Sequence, residues 1–214
     1  DVQRTQNRPL ATGRVSPKEA LFVAAIIGLL CFVLVLFTNF NTILWSVGAL
    51  LLACIYPFMK RYTYFPQAIL GAAFAWSIPM AFAAAEKPVP ALAWLMFGAT
   101  VLWTMAYDTL YAMVDREDDL QVGIRSTAIL FGEADLVMIS ILELMALLSL
   151  WLLGNQLLFS YWYFGSLVIA SGLWAWQLWH CRERDTEQCF KAFLHNHWVG
   201  AVIFAGIFLH YNIS

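Results

Sequence analysis

Charge is scarce in this chain: 12% of its 214 residues are Asp, Glu, Lys or Arg, about half the share of an average soluble domain. Hydrophobic residues make up 62%, and the mean hydropathy is +0.70. That balance excludes a water-soluble globule and leaves a polytopic membrane protein. Basic runs that could follow a phosphate backbone are also missing, and the net charge is only −2, so no nucleic-acid partner is expected. The four cysteines are too few and too scattered for a disulfide framework. Cys31 and Cys54 fall in apolar stretches, Cys181 and Cys189 in a short polar connection, and all are expected as free thiols. No repeat of fixed period is present. A signal peptide is lacking too, and the opening Asp1-Val2-Gln3-Arg4-Thr5 is polar and without an initiator Met. It reads as a chain whose N-terminal part is absent.

What is there is a succession of apolar runs, each near the ~20 residues a helix needs to cross hydrocarbon. They fall at about 20–38, 42–59, 66–85, 91–113, 136–153, 157–179 and 194–211, which predicts an all-α transmembrane bundle of seven helices forming one membrane-embedded domain over 1–214. Very short connections alternate with longer charged ones. Of the 12 Lys and Arg, every one but Lys87 then falls on one side, the cytoplasmic side by the positive-inside rule, with the C-terminus opposite. Aromatic residues crowd the span ends, as in Tyr161, Trp162 and Tyr163, where interfacial anchoring accounts for them. Pro79 should kink the third span. Gly71, Gly98, Gly165 and Gly172 should permit close helix packing.

The acids are concentrated. Between Tyr107 and Asp119 the chain carries Asp108, Asp115, Glu117, Asp118 and Asp119 at the end of an apolar run. On a continuing helix Asp108, Tyr111, Asp115 and Asp119 form one stripe, at i, i+3, i+7 and i+11. A lone DxxxD is ordinarily a solvated helix end. Carboxylates gathered beside hydrocarbon instead call for a cation among them, and hard oxygen ligands suit magnesium that also holds phosphate. Two basic segments lie on the same side. Lys60 and Arg61 end the second span, where Lys60 can supply a point charge and Arg61 a bidentate fork. Alone, they would read as snorkelling side chains. Arg4 and Arg8 precede a helix start at Ser16-Pro17-Lys18-Glu19. Carboxylates, magnesium and cations around a diphosphate would stabilise charge on a leaving group, while the bundle receives a hydrocarbon tail. The combination suggests ionisation of a prenyl diphosphate and capture of the allylic cation by a nucleophile.

Five segments together carry a resemblance. Arg4-Thr-x-Asn-Arg-Pro-Leu, Tyr56-Pro-Phe-Met-Lys-Arg-Tyr-Thr, Pro66-Gln-x3-Gly-x2-Phe-x-Trp-Ser-Ile-Pro-Met-Ala-Phe-Ala-Ala, Tyr107-Asp-Thr-x-Tyr-Ala-Met-Val-Asp-Arg-x-Asp-Asp and Gly123-Ile-x-Ser-Thr-Ala-Ile-Leu-Phe-Gly resemble the UbiA superfamily of intramembrane aromatic prenyltransferases. Within it they are most similar to the bacterial branch that prenylates 4-hydroxybenzoate for ubiquinone. The resemblance covers essentially the whole chain. It implies nine transmembrane helices in the bacterial inner membrane, Mg2+, a polyprenyl diphosphate donor, an aromatic acceptor and two Asp-rich motifs. Asp115 and Asp119 match the second motif and would hold the metal, with Asp108 helping or orienting the acceptor and Tyr111 on the same stripe. Lys60 would bind diphosphate. Arg61 would do likewise or pair with the benzoate carboxylate, and Arg4 and Arg8 would close over the phosphates. Arg125 stands where the family often has Lys. The first motif, Asn-Asp-x2-Ala-Asp-x3-Asp, precedes the position of Asp1, so seven of nine helices are expected here and the chain alone is expected to be inactive; turnover by it alone would refute this.

Other readings are weaker. A zinc site from His180, Cys181, Cys189, His195 and His197 fits no common tetrahedral spacing. A secondary transporter would place acids near the membrane midplane, where Glu143 is the one acid well inside a span and away from the cluster. A CDP-alcohol phosphotransferase would need a DGxxAR segment, which is missing.

Overall fold

A computed structural model describes residues 8–213. Among them there is no strand, and the helices are α1 (Pro17–Leu36), α2 (Phe40–Tyr62), α3 (Pro66–Ala75), α4 (Ser77–Ala84), α5 (Ala91–Val114), α6 (Arg116–Val122), α7 (Thr127–Phe131), α8 (Asp135–Gln156), α9 (Tyr161–His180) and α10 (Thr186–Ile213). Five segments are long and apolar enough to cross a membrane: α1, α2, α3 with α4, α7 through α8, and α10. Helices α5 and α9, of 24 and 20 residues, are of matching length and pack among them.

The expectation of seven helices needs one correction. Eight helices reach eight residues or more, because the third span is two helices meeting at Trp76. Pro79 is the reason. It has no amide hydrogen for the carbonyl of Ala75, the last residue of α3, and its ring crowds that oxygen. The corner is held by Trp76, whose Nε1 donates to the carbonyl oxygen of Trp45 at 2.8 Å. Its indole lies where a side chain at Gly48 would have to go.

The start of α1 forms as the sequence suggests. Glu19 N donates to Ser16 Oγ at 3.3 Å, and Ser16 N donates to Glu19 Oε2 at 2.7 Å, a reciprocal cap that satisfies two otherwise orphaned amides. No residue of α1 is buried. Helix α5 is the centre of the bundle, packing against α3, α8 and α10, with α9 bridging α8 and α10. Close approach rests on fewer glycines than expected. A Cβ on Gly71 would lie 3.0 Å from the Val101 backbone of α5, so this position sets the α3–α5 distance. Gly98, Gly165 and Gly172 have no atom of the described residues within 4 Å of where a Cβ would lie. The tight contact of α9 with α10 is instead at Gly206, against Ser166, a position that periodicity does not distinguish.

Candidate active site

The acidic stripe survives in a modified form. Helix α5 ends at Val114, Asp115 has φ −94° and ψ 5°, and α6 begins at Arg116. The break is slight, since Asp119 N still donates to the carbonyl oxygen of Asp115 at 2.8 Å. Asp108, Tyr111, Asp115 and Asp119 therefore stay on one side and line a single cavity of about 270 Å³. Asp108 lies two turns, about 10 Å, further along α5 into the bundle than Asp115. Asp115 and Asp119 are 6% and 2% exposed.

Opposite the acids stand α2 and α3. Lys60, in the last turn of α2, donates from Nζ to Asp119 Oδ2 at 3.2 Å. Tyr56, one turn earlier, and Arg8 line the same cavity. Sequence reasoning put Lys60 and Arg8 at this site and gave no role to Tyr56 or Gln67. Gln67 is 1% exposed, lines the cavity, and accepts a hydrogen bond on Oε1 from Thr127 N at 3.3 Å. The available signal was a single amide directly after Pro66 in an otherwise apolar helix start.

Two candidates occupy other positions. Arg61 is exposed and is not among the described residues that line the cavity. Adjacent helix positions are about 100° apart, so α2 turns Arg61 away when it points Lys60 inward. Arg125 works on the loop itself. Its backbone N donates to the carbonyl oxygen of Lys60 at 2.8 Å, its Nη1 to that of Tyr62 at 2.9 Å, and its guanidinium sits 5.3 Å from the Tyr64 ring centroid. The α6–α7 connection is thereby tied to the end of α2. Gly123, at φ +71°, closes α6 and lets Ile124 N reach the carbonyl oxygen of Asp119 at 2.9 Å. Arg4 lies outside the described residues.

A second charged group fixes the corner after Asp115 from the other side. Asp135, fully buried at the start of α8, binds the guanidinium of Arg116 and accepts from Arg184 Nη2 at 3.0 Å. Arg184 also donates to the carbonyl oxygen of Glu133 at 2.6 Å. The hydrogen bond to Asp135 raises the Arg184 pKa. Arg116 directly follows Asp115, so this clamp sets where the α5–α6 corner sits.

As for a cation, no group of three or more His, Cys, Asp and Glu is arranged to hold a metal alone among the described residues, and the zinc candidates are no exception. Magnesium, however, is commonly bound by one or two carboxylates with phosphate oxygens and waters completing an octahedron. Asp115 and Asp119, one turn apart and nearly buried beside Lys60, are a donor set of that kind. The cavity is lined by hard anionic oxygens with a lysine against them, two tyrosines and a further carboxylate.

Comparison with known proteins finds matches over nearly the whole chain. Residues 1–208 match the model of the UbiA prenyltransferase family. A 4-hydroxybenzoate octaprenyltransferase of Pseudomonas entomophila is 55% identical over 212 residues, which cover 99% of this chain and 72% of that protein. One from Stutzerimonas stutzeri is 56% identical over 210 residues, 98% of this chain and 71% of its own length. Among solved structures, the apo form of a UbiA homologue from Aeropyrum pernix superposes with a TM-score of 0.83 at 23% identity, covering 97% of this chain and 78% of that one. A digeranylgeranylglyceryl phosphate synthase gives 0.70 at 20% identity, covering 98% and 77%. At such identities the structural matches speak for the fold.

Proposed function

The chain belongs to the UbiA prenyltransferase family, and from that premise we propose that it transfers a polyprenyl group from polyprenyl diphosphate to 4-hydroxybenzoate, at the ring carbon ortho to the hydroxyl, in ubiquinone biosynthesis. The observation that carries this reading is the one cavity where Asp115, Asp119 and Lys60 meet at the charged end of an apolar bundle. The relatives' names make octaprenyl diphosphate the donor to try first.

Lys60 and Arg8 bind the diphosphate oxygens. As the allylic C–O bond breaks, both electrons leave with the diphosphate, and cations placed against it stabilise the charge that builds there. Asp115 and Asp119 would hold Mg2+, which when bound neutralises the diphosphate further. Asp108, Tyr56 and Tyr111, deeper in the lining, face the acceptor. The phenol makes its ortho carbon electron-rich; that carbon attacks the allylic cation, forms the new C–C bond and then loses its proton, for which Asp108 is the carboxylate we assign. Binding energy from the long tail holds donor and acceptor in contact and excludes water that would otherwise capture the cation. Arg61, exposed and turned away from the cavity, is given no contact with the acceptor. The charged end of the bundle faces the cytoplasm of the bacterial inner membrane, following the Lys and Arg distribution.

The test uses membranes containing the protein expressed from its complete gene, supplied with octaprenyl diphosphate and 4-hydroxybenzoate. One diphosphate should be released per prenylated acceptor, and chelation of divalent ions should stop both. Diphosphate release that ignores the acceptor, or prenyl transfer that persists under chelation, would overturn the reading.

A further inference from the structure

Away from the active site, one carboxyl inside the bundle has no assigned task. Glu143 lies on α8 eight residues after Asp135, about 12 Å along the helix, and is 4% exposed. Its Oε1 is buried with no hydrogen-bond partner among the described residues. A polar oxygen left so within a membrane span is unfavourable, because hydrocarbon offers it no hydrogen bond in place of water. Glu143 lines a cavity of about 160 Å³ between α8 and α9, where Ser140, Ser171 and Trp174 complete the polar and aromatic lining. This cavity runs into a cleft of about 410 Å³ through the shared Leu144, Leu147 and Ser171. The cleft walls beyond them are apolar, with Trp151 and Phe164 among them.

We propose that the space between α8 and α9 is a binding site for a long-chain phenol, its hydroxyl on Glu143 and its hydrocarbon tail in the adjoining cleft. The donor pattern selects a hydroxyl. Ser140 Oγ already donates to the carbonyl oxygen of Leu136 at 2.8 Å, and Ser171 Oγ to that of Val168 at 2.7 Å, so the hydroxyls of this lining have their hydrogens engaged and only lone pairs left to offer, as the unpartnered Glu143 Oε1 has. A head group that donates a hydrogen bond satisfies such a set. An anionic head finds no counterion, since no Lys or Arg is among the described residues lining either space. Trp174, forming one wall, favours an aromatic ring over an aliphatic alcohol. The site is separate from the reacting cavity, which α2, α3, α5 and α6 enclose. It is therefore a second lipid site, and it does not depend on the assignment of 4-hydroxybenzoate.

The probe is an alkylphenol with a photoreactive diazirine on its tail, cross-linked to the detergent-solubilised protein expressed from its complete gene, with labelled peptides mapped by mass spectrometry. Labelling should concentrate on the α8 and α9 peptides around Leu148 and Phe164, and unlabelled dodecylphenol should compete roughly tenfold better than dodecylbenzene, the value of one hydrogen bond to a carboxyl group. E143L should abolish that difference, whereas E143Q, which keeps an acceptor oxygen, should retain most of it. Equal competition by dodecylbenzene, or labelling spread evenly over the lipid-facing helices, would overturn the proposal using the unmodified protein alone.

Discussion

Replacing Lys60 by Met separates two roles that its position combines. Nζ stands 3.2 Å from Asp119 Oδ2, with the aspartate side chain 2% exposed. At an effective dielectric constant near 20, Coulomb's law gives about 5 kcal/mol of attraction at that distance. Desolvation and ordering of the ammonium take back most of it, because the lysine side chain is still 32% exposed, and a net 1–2 kcal/mol, roughly tenfold in an equilibrium constant, is the order expected. Before donor binds, Lys60 competes with a divalent ion for Asp119. K60M should therefore bind Mg2+ about tenfold more tightly in the absence of diphosphate, while kcat/KM falls by a factor on the order of 10²–10³ because the departing diphosphate has lost a preorganised cation. The first quantity is read as the Mg2+ concentration giving half-maximal protection against thermal unfolding, the second from initial rates in membranes. If Mg2+ affinity weakens together with turnover, lysine and metal do not share the carboxylate. If neither changes, the salt bridge is a surface contact and the cavity is not the site.

Three further outcomes follow from the same geometry. D115N should remove most metal-dependent turnover, about 10²-fold or more, with little change in Tm; near-normal rates would contradict the metal role. D135N should lower stability by about 2–3 kcal/mol, less than the loss from a fully buried pair because Arg184 is 39% exposed. That loss would appear in Tm, and the Mg2+ dependence of the rate should shift with it as Arg116 and the Asp115 corner loosen; an unchanged Mg2+ profile would make the clamp purely structural. G71L should cost about 1–3 kcal/mol by forcing α3 off the Val101 backbone, whereas G98L, with no atom of the described residues within 4 Å of where a Cβ would lie, should be close to neutral.

The apolar runs, the one-sided distribution of Lys and Arg, the cap at Ser16 and the acidic stripe were all legible in the sequence, because each depends on spacing along a single helix. Periodicity of 3.6 residues puts Asp108, Tyr111, Asp115 and Asp119 on one face whatever surrounds them, and a small break at Asp115 does not undo it. Only the tertiary structure decided which cation meets that face. Lys60 and Arg61 are neighbours in sequence, and how α2 is rotated against α5 brings in the first and leaves the second outside. The same holds for Arg125, whose charge suggested phosphate and whose contacts go to the Lys60 and Tyr62 carbonyls, and for Gln67, whose burial depends on α3 lying against α5 and whose amide meets Thr127 N at the start of α7. Gly71 and Gly98 look alike in sequence, yet one faces a backbone at 3.0 Å and the other has nothing within 4 Å among the described residues. Pattern along a chain fixes the direction in which a side chain leaves its own helix; what it meets there depends on residues far away in sequence, brought near by packing.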